Sequence, residues 1–195
     1  MNRGMTAKGL ATRQRIVVAA AHLIRDKGAA ETTLDDVRAA TSTSKSQLFH
    51  YFPEGRSDLL VAVARHEAEQ VLQAQQPHLD DLTTWDSWQA WRRAVVRHYA
   101  ELGERCPMGS LTSELGKSSP EARTVVAELF TTWEAALLHG TQAMLGDKEA
   151  AVDRARSVLA AVQGGVALLR STGRVEYLET ALTAAIDPME PGRER

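Results

Sequence analysis

Three features of the 195-residue chain predict an all-α fold. Trp88, Trp91, Val95, Tyr99 and Leu102 recur at spacings of 3, 4, 4 and 3, which puts them on one face of a helix. Val152, Ala155, Leu159, Val162, Val166 and Leu169 recur at 3, 4, 3, 4 and 3, the period of an a/d seam. No stretch has a sheet-forming pattern. The organisation read from these elements is an N-terminal three-helix domain over residues 1–56, a larger helical domain over 57–187, and a tail over 188–195 expected to be disordered.

The first helix is expected over about Leu10 to Lys27, with Ile16, Ala20, Leu23 and Ile24 on one side and Gly28 ending it. Thr33 is a natural N-cap for a second helix starting at about Leu34, and Asp35 and Asp36 put negative charge in its first turn. The run Thr41-Ser42-Thr43-Ser44 makes a poor helix interior, because each hydroxyl competes for backbone hydrogen bonds. Ser44 then caps a short third helix, Lys45 to Phe52, closed by Pro53 and Gly55. Leu48 and Phe52, four apart, face the core, leaving Lys45, Gln47, His50 and Tyr51 outward. Two helices joined by a short turn, the second short and polar outside, form a helix-turn-helix built to enter a major groove.

Further helices are expected at about Ser57 to Gln75, from Trp85 to the break at Cys106-Pro107-Met108-Gly109, and at Ser110 to Leu115. Three more complete the chain: Pro120 to about Leu145, Glu149 to Ser171, and Val175 to Ile186. The helix beginning at Ser57 is placed to link the small domain to the larger one.

A net charge of −2 hides an asymmetry: residues 1–60 carry +3 and residues 61–195 carry −5, so one end suits phosphate and the other does not. Arg3, Lys8, Arg13 and Arg15 make either an arm toward phosphate or plain solubilising charge. No apolar run approaches membrane-spanning length, and the one cysteine, Cys106, excludes an internal disulfide framework, so a cytoplasmic protein is expected.

The segments TRQRIVVAAAHLIRDKG, TTLDDVRAAT and TSKSQLFHYFP resemble, in order and spacing, the DNA-binding domain of the TetR/AcrR family of bacterial regulators, and FPEGRSDLL resembles the junction of its LmrA/YxaF-like branch. Two departures stand out. Ser42 sits where the family usually has a turn glycine, and Thr43 where it usually has valine. The resemblance implies a ligand-binding and dimerisation domain behind the helix-turn-helix, and a homodimer reading a palindromic operator in double-stranded DNA, most often as a repressor released by a small-molecule effector. The DNA-facing set is Thr33, Ser44, Lys45, Gln47, Phe49, His50, Tyr51 and Arg56. Gln47 is placed on a base edge, Thr33, Ser44, Lys45, His50, Tyr51 and Arg56 on phosphate, and Phe49 replaces the common tyrosine and lacks its hydroxyl.

In the larger domain, Trp88, Trp91, Tyr99, Cys106, Met108, Phe130, Trp133 and Gln163 are candidates to line an effector cavity, against the alternative that aromatic residues at helical spacing are core. Leu159, Val162, Gly165, Val166, Leu169, Leu178 and Leu182 are candidates for the dimer interface, against a seam buried within one chain. Cys106 beside Arg105 is either a redox or electrophile sensor or a small buried hydrophobe. The histidines show no metal-binding spacing, and no nucleophile–base pair or phosphate loop is present, so neither cofactor nor enzyme activity is expected. A ligand-binding module that keeps the fold without operator DNA is the remaining alternative.

Overall fold

The computed structural model describes residues 5–103 and 106–192, with the side chains of Pro107, Met108 and Ser113 outside the description. Arg3, Arg105 and the Met108 side chain therefore lie beyond the described residues. All regular structure among the described residues is helical: α1 (Ala7–Lys27), α2 (Leu34–Thr41), α3 (Lys45–Tyr51), α4 (Arg56–Gln73), α5 (Trp85–Leu102), α6 (Pro107–Ser110), a π-helical turn (Leu111–Leu115), α7 (Gly116–Ser118), α8 (Pro120–Leu145), α9 (Lys148–Thr172) and α10 (Glu176–Ile186). Single 3-10 turns occur at His78–Asp80 and Asp187–Met189. None of the described helices is long and apolar enough to cross a membrane.

The helices group into two compact units, one of described residues through Gln70 with Pro107–Ala127, the other of Val71–Cys106 with Glu128 onward. The expected cut at residue 56 falls at the start of α4, whereas the first compact unit runs on to Gln70 and takes in Pro107–Ala127.

The first unit buries Ile16, Val17, Ala20, Ala21 and Ile24 of α1, Val37 of α2, Leu48 of α3 with Phe52, Leu59 and Val63 of α4, and Leu111, Leu115, Ala122 and Val125. Helix α1 starts three residues earlier than expected, because Thr6 Oγ1 accepts the Gly9 N–H at 3.2 Å and caps it. One carboxylate is sealed into this unit. The Glu67 side chain is 1% exposed, its nearest partner is an Arg25 nitrogen at 3.7 Å, and burial pushes its carboxyl above the ordinary carboxylate range.

In the second unit α5 carries its aromatic stripe inward as expected: Trp88, Trp91, Val95 and Tyr99 are buried. On α8 this unit buries the apolar side chains Leu129, Trp133 and Leu137 and, beyond them, Gly140 and Thr141, while Phe130 is half-buried. The C-terminal pair departs from expectation. Val162, Gly165, Val166 and Leu169 of α9 and Leu178 and Leu182 of α10 are buried within the single chain, where α9 and α10 pack on one another, and Leu159 is only half-buried. A Cβ on Gly165 would lie 2.6 Å from Leu178 Cα, so the glycine lets the two backbones touch. The candidate interface residues thus form the intrachain seam, because α10 follows α9 after a link short enough to fold it straight back. At the start of the expected tail Met189 is 3% exposed in the 3-10 turn, just after Asp187, which pairs with Arg92 at 3.2 Å, and residues 193–195 lie outside the described residues.

Candidate nucleic-acid interface and effector region

The helix-turn-helix is built from two reciprocal caps. Thr33 Oγ1 accepts the Asp36 N–H at 3.1 Å while Asp36 Oδ2 accepts the Thr33 N–H at 2.8 Å. Ser44 Oγ accepts the Gln47 N–H at 3.1 Å, and Gln47 Oε1 accepts the Ser44 N–H at 3.3 Å. Between them Ser42 takes a left-handed conformation, φ +51°, and its N–H closes α2 on the Ala39 carbonyl. Thr43, in the usual valine position, is buried with its hydroxyl 2.8 Å from that of Thr41, which itself donates to the Val37 carbonyl at 2.7 Å. A pair of threonines satisfying each other replaces an apolar contact in the turn.

These bonds sort the expected DNA-facing residues. Lys45, Gln47 and His50 are exposed on α3, as is Ser46, and Phe49 is 40% exposed. Tyr51 is half-buried, edge-on to His50 with ring centroids 5.0 Å apart. Ser44 spends its oxygen on the cap but keeps its O–H to donate. Thr33 differs: its O–H donates to Asp36 Oδ2 at 2.6 Å and its N–H to the same oxygen, so neither donor is left for phosphate. Lys27 lies 2.7 Å from that carboxylate and, with Thr33, holds it well below the usual range. Arg56 is likewise committed, donating one nitrogen to the Thr32 carbonyl and the other to the Ala29 carbonyl. The amide oxygen of Gln47 is engaged at the cap, so the two-bond grip on adenine expected of it requires breaking the 3.3 Å cap bond. Of the N-terminal basic residues, Lys8 and Arg15 are exposed, whereas Arg13 stacks over the Phe52 ring at 5.2 Å. Arg13, Tyr51, Ser57 and Arg65 line a groove of about 510 Å³ beside the end of α3.

In the second unit Trp88 meets Trp91 edge-to-face at 5.7 Å. The Trp91 N–H donates to Gln75 at 3.1 Å and is satisfied as a core group, whereas the buried indole N–H groups of Trp88 and Trp133 and the Gln163 amide nitrogen have no hydrogen-bond partner among the described residues. Tyr99 is buried with Cys106 beside it; burial first, and that neighbour second, push the Tyr99 hydroxyl well above its ordinary range. Cys106 is 2% exposed, the setting of an inert thiol rather than a reactive one. No group of histidine, cysteine and carboxylate side chains suited to a metal occurs among the described residues.

Comparison with known proteins separates the two halves along the same chain. A family model described as bacterial regulatory proteins of the tetR family matches residues 16–63, and one described as the LmrA/YxaF-like transcriptional regulator C-terminal domain matches residues 86–184. The chain belongs to the TetR family. This TetR-family regulator is 24% identical, over 87% of its length and 88% of the relative's, to an HTH-type transcriptional regulator in the lacX 3′ region of Lactococcus lactis. A crystal structure of a TetR transcriptional regulator from Chloroflexus aurantiacus superposes with a TM-score of 0.76 at 26% identity, covering 93% of this chain and 96% of that one. The fold also matches SmeT, solved as a triclosan complex, with a TM-score of 0.70 at 18% identity over 93% of each chain. The chain is a DNA-binding transcriptional regulator with the helix-turn-helix at residues 33–52.

Proposed function

We propose that this TetR-family protein acts as a cytoplasmic homodimeric repressor whose α3 reads a palindromic operator and whose second unit binds the small molecule that releases it. The observation that carries the DNA arm is the doubly capped α2–α3 pair, which fixes the helix and leaves Lys45, Ser46, Gln47 and His50 in solvent. Ser44, Lys45 and His50 serve phosphate, and Gln47 serves a base edge through its amide nitrogen.

The effector arm rests on three buried donors without acceptors among the described residues, Trp88, Trp133 and Gln163, and on the likeness of the fold to SmeT, solved as a triclosan complex. An apolar ligand carrying hydrogen-bond acceptors answers those groups.

The dimer surface is the outer face of α9 and α10. Ala160, Gly164, Ala167, Leu168 and Ser171 share one exposed stripe of α9, and Tyr177, Thr180 and Ala184 share one of α10. Leu168 is 46% exposed and Tyr177 38% exposed, two of the few large apolar side chains left in solvent among the described residues. A second copy packing its own α9 and α10 there makes a four-helix bundle.

Selection of duplexes from a random-sequence pool tests the DNA arm: the expected product is a two-fold motif whose half-sites lie about one helical turn apart, and failure to enrich any sequence refutes it. For the dimer, Leu168→Glu is expected to give a folded monomer by sedimentation, and an unchanged dimer moves the interface elsewhere.

A further inference from the structure

Ala29, in the link between α1 and α2, is gripped on both backbone polar groups by opposite charges from distant segments. Its N–H donates to Glu114 Oε2, and its carbonyl accepts from Arg56 Nη2. The other Arg56 nitrogen takes the Thr32 carbonyl, and the Thr32 hydroxyl donates to the Gly28 carbonyl at 2.8 Å. Glu114 sits 85 residues along the chain from Ala29, in the π-helical turn Leu111–Leu115. Its Oε2 lies 3.3 Å from where a Cβ on Gly28 would stand, so the carboxylate fills the space that this glycine, at φ +89°, leaves open.

The link ends at Thr33, whose N–H and hydroxyl form the cap of α2, and α2 is tied to α3 through Thr41 and Thr43. Residues 28–33 are therefore the covalent pivot between α1 and the tied α2–α3 pair. Hydrogen bonds to ionised groups are roughly twice as strong as neutral ones, so two of them on one peptide unit fix that pivot more firmly than a turn open to water. π-helical turns are rare and concentrate at functional sites, and this one carries the residue that reaches the pivot.

We propose that Glu114 is a positioning residue for DNA recognition. Its carboxylate, with Arg56 opposing it on Ala29, sets the angle at which α3 is presented. The inference rests on the DNA-binding role, and its test separates the two.

The full chain is compared with Glu114→Ala, Glu114→Gln and Glu114→Asp, using a duplex recovered by the wild type from a random pool and amide hydrogen exchange without DNA. Glu114→Ala is expected to lose protection at Ala29 and through α2 and to bind about 10-fold more weakly, with its preferred sequence unchanged. Glu114→Gln, whose amide oxygen still accepts, stays within about 3-fold of wild type, whereas Glu114→Asp keeps the charge but falls short and loses protection as alanine does. If Glu114→Ala does not fold, the Gln and Asp pair carries the same contrast. Arg56→Ala is expected to weaken binding with an unchanged salt slope, where loss of a phosphate contact lowers that slope by about 1. Wild-type affinity in Glu114→Ala, weak binding with the link still protected, or a glutamine variant as weak as the alanine one overturns the proposal. A wild type that binds no duplex sinks the DNA role itself.

Discussion

Gly165→Ala probes the α9–α10 seam at its closest point. The added Cβ meets Leu178 Cα at 2.6 Å, Cδ1 at 2.8 Å and Cβ at 3.0 Å, against a comfortable carbon–carbon separation of about 3.5–4.0 Å. A backbone carbon cannot rotate away, so α10 must shift by about 1 Å, disturbing Leu178 and Leu182, both fully buried. Overpacking of this kind costs about 1–3 kcal/mol, and alanine returns about 1 kcal/mol of helix propensity. Because the obstruction is main chain, the cost is set near the top of that range and the net loss is about 2 kcal/mol, a fall in Tm of about 4–8 °C for a chain of this size. The adjacent residue supplies the control: nothing lies within 4 Å of a Cβ on Gly164, so Gly164→Ala is expected to raise Tm by about 2–4 °C. Both are measured by thermal circular dichroism in the Leu168→Glu background, where a partner copy does not cover the outer face and concentration does not move Tm. A Gly165→Ala protein as stable as its parent refutes the reading of this seam as an intrachain backbone contact.

Ser42→Gly removes a side chain from a left-handed position; that conformation costs an L-residue about 1–2 kcal/mol and glycine's extra freedom gives back about 0.4–1, so urea denaturation is expected to show a gain of roughly 0.5–1 kcal/mol. Thr33→Ala is expected to lower folding stability by about 1 kcal/mol through the lost cap without changing the salt slope of DNA binding, whereas Lys45→Ala lowers that slope by about 1; equal slopes for wild type and Lys45→Ala reject the phosphate role. Glu67→Met addresses the sealed carboxylate. Its pKa is raised by burial, so the folded state holds the proton more tightly, stability is fullest below the ordinary value of 4.5, and it is lost as pH rises through the folded value. The methionine variant is expected to melt higher than wild type at neutral pH, with the gap closing as pH falls toward 4.5; a gap independent of pH counts against a carboxyl raised by burial.

Local signals carried most of the fold. Thr33, Ser44 and Pro120 announce helix starts through chemistry that needs only the next three residues, and the α5 stripe needs only its own period. What stayed hidden was the identity of partners across the chain. The period of α9 marks Val162 and Leu169 as inward without saying which helix covers them, and the answer is α10 of the same chain. Arg56 at a helix start looks like an anion ligand until two carbonyls of a loop folded beside it claim its nitrogens. Nothing near Glu114 in sequence points to Ala29.

Hydrogen bonds spent inside the fold also narrow the DNA surface. A side chain reads DNA only with donors and acceptors that the fold has not already taken, and in this helix-turn-helix the fold takes many: Thr33, Asp36, Thr41, Thr43 and Arg56 are consumed in caps, turn and link. Left exposed on α3 and its cap are the Ser44 hydroxyl proton, Lys45, Ser46, the Gln47 amide nitrogen and His50, within two turns of one helix. All but one of those groups sit at or near its N-terminal end, the end that a helix-turn-helix points at base edges. On the proposed reading of α3, sequence preference rests on few groups, and Gln47→Ala, which removes the amide of that end, is expected to relax preference at one position of each half-site while leaving the salt slope intact. Retention of the wild-type motif in a repeated selection would move base reading to His50 and Ser46.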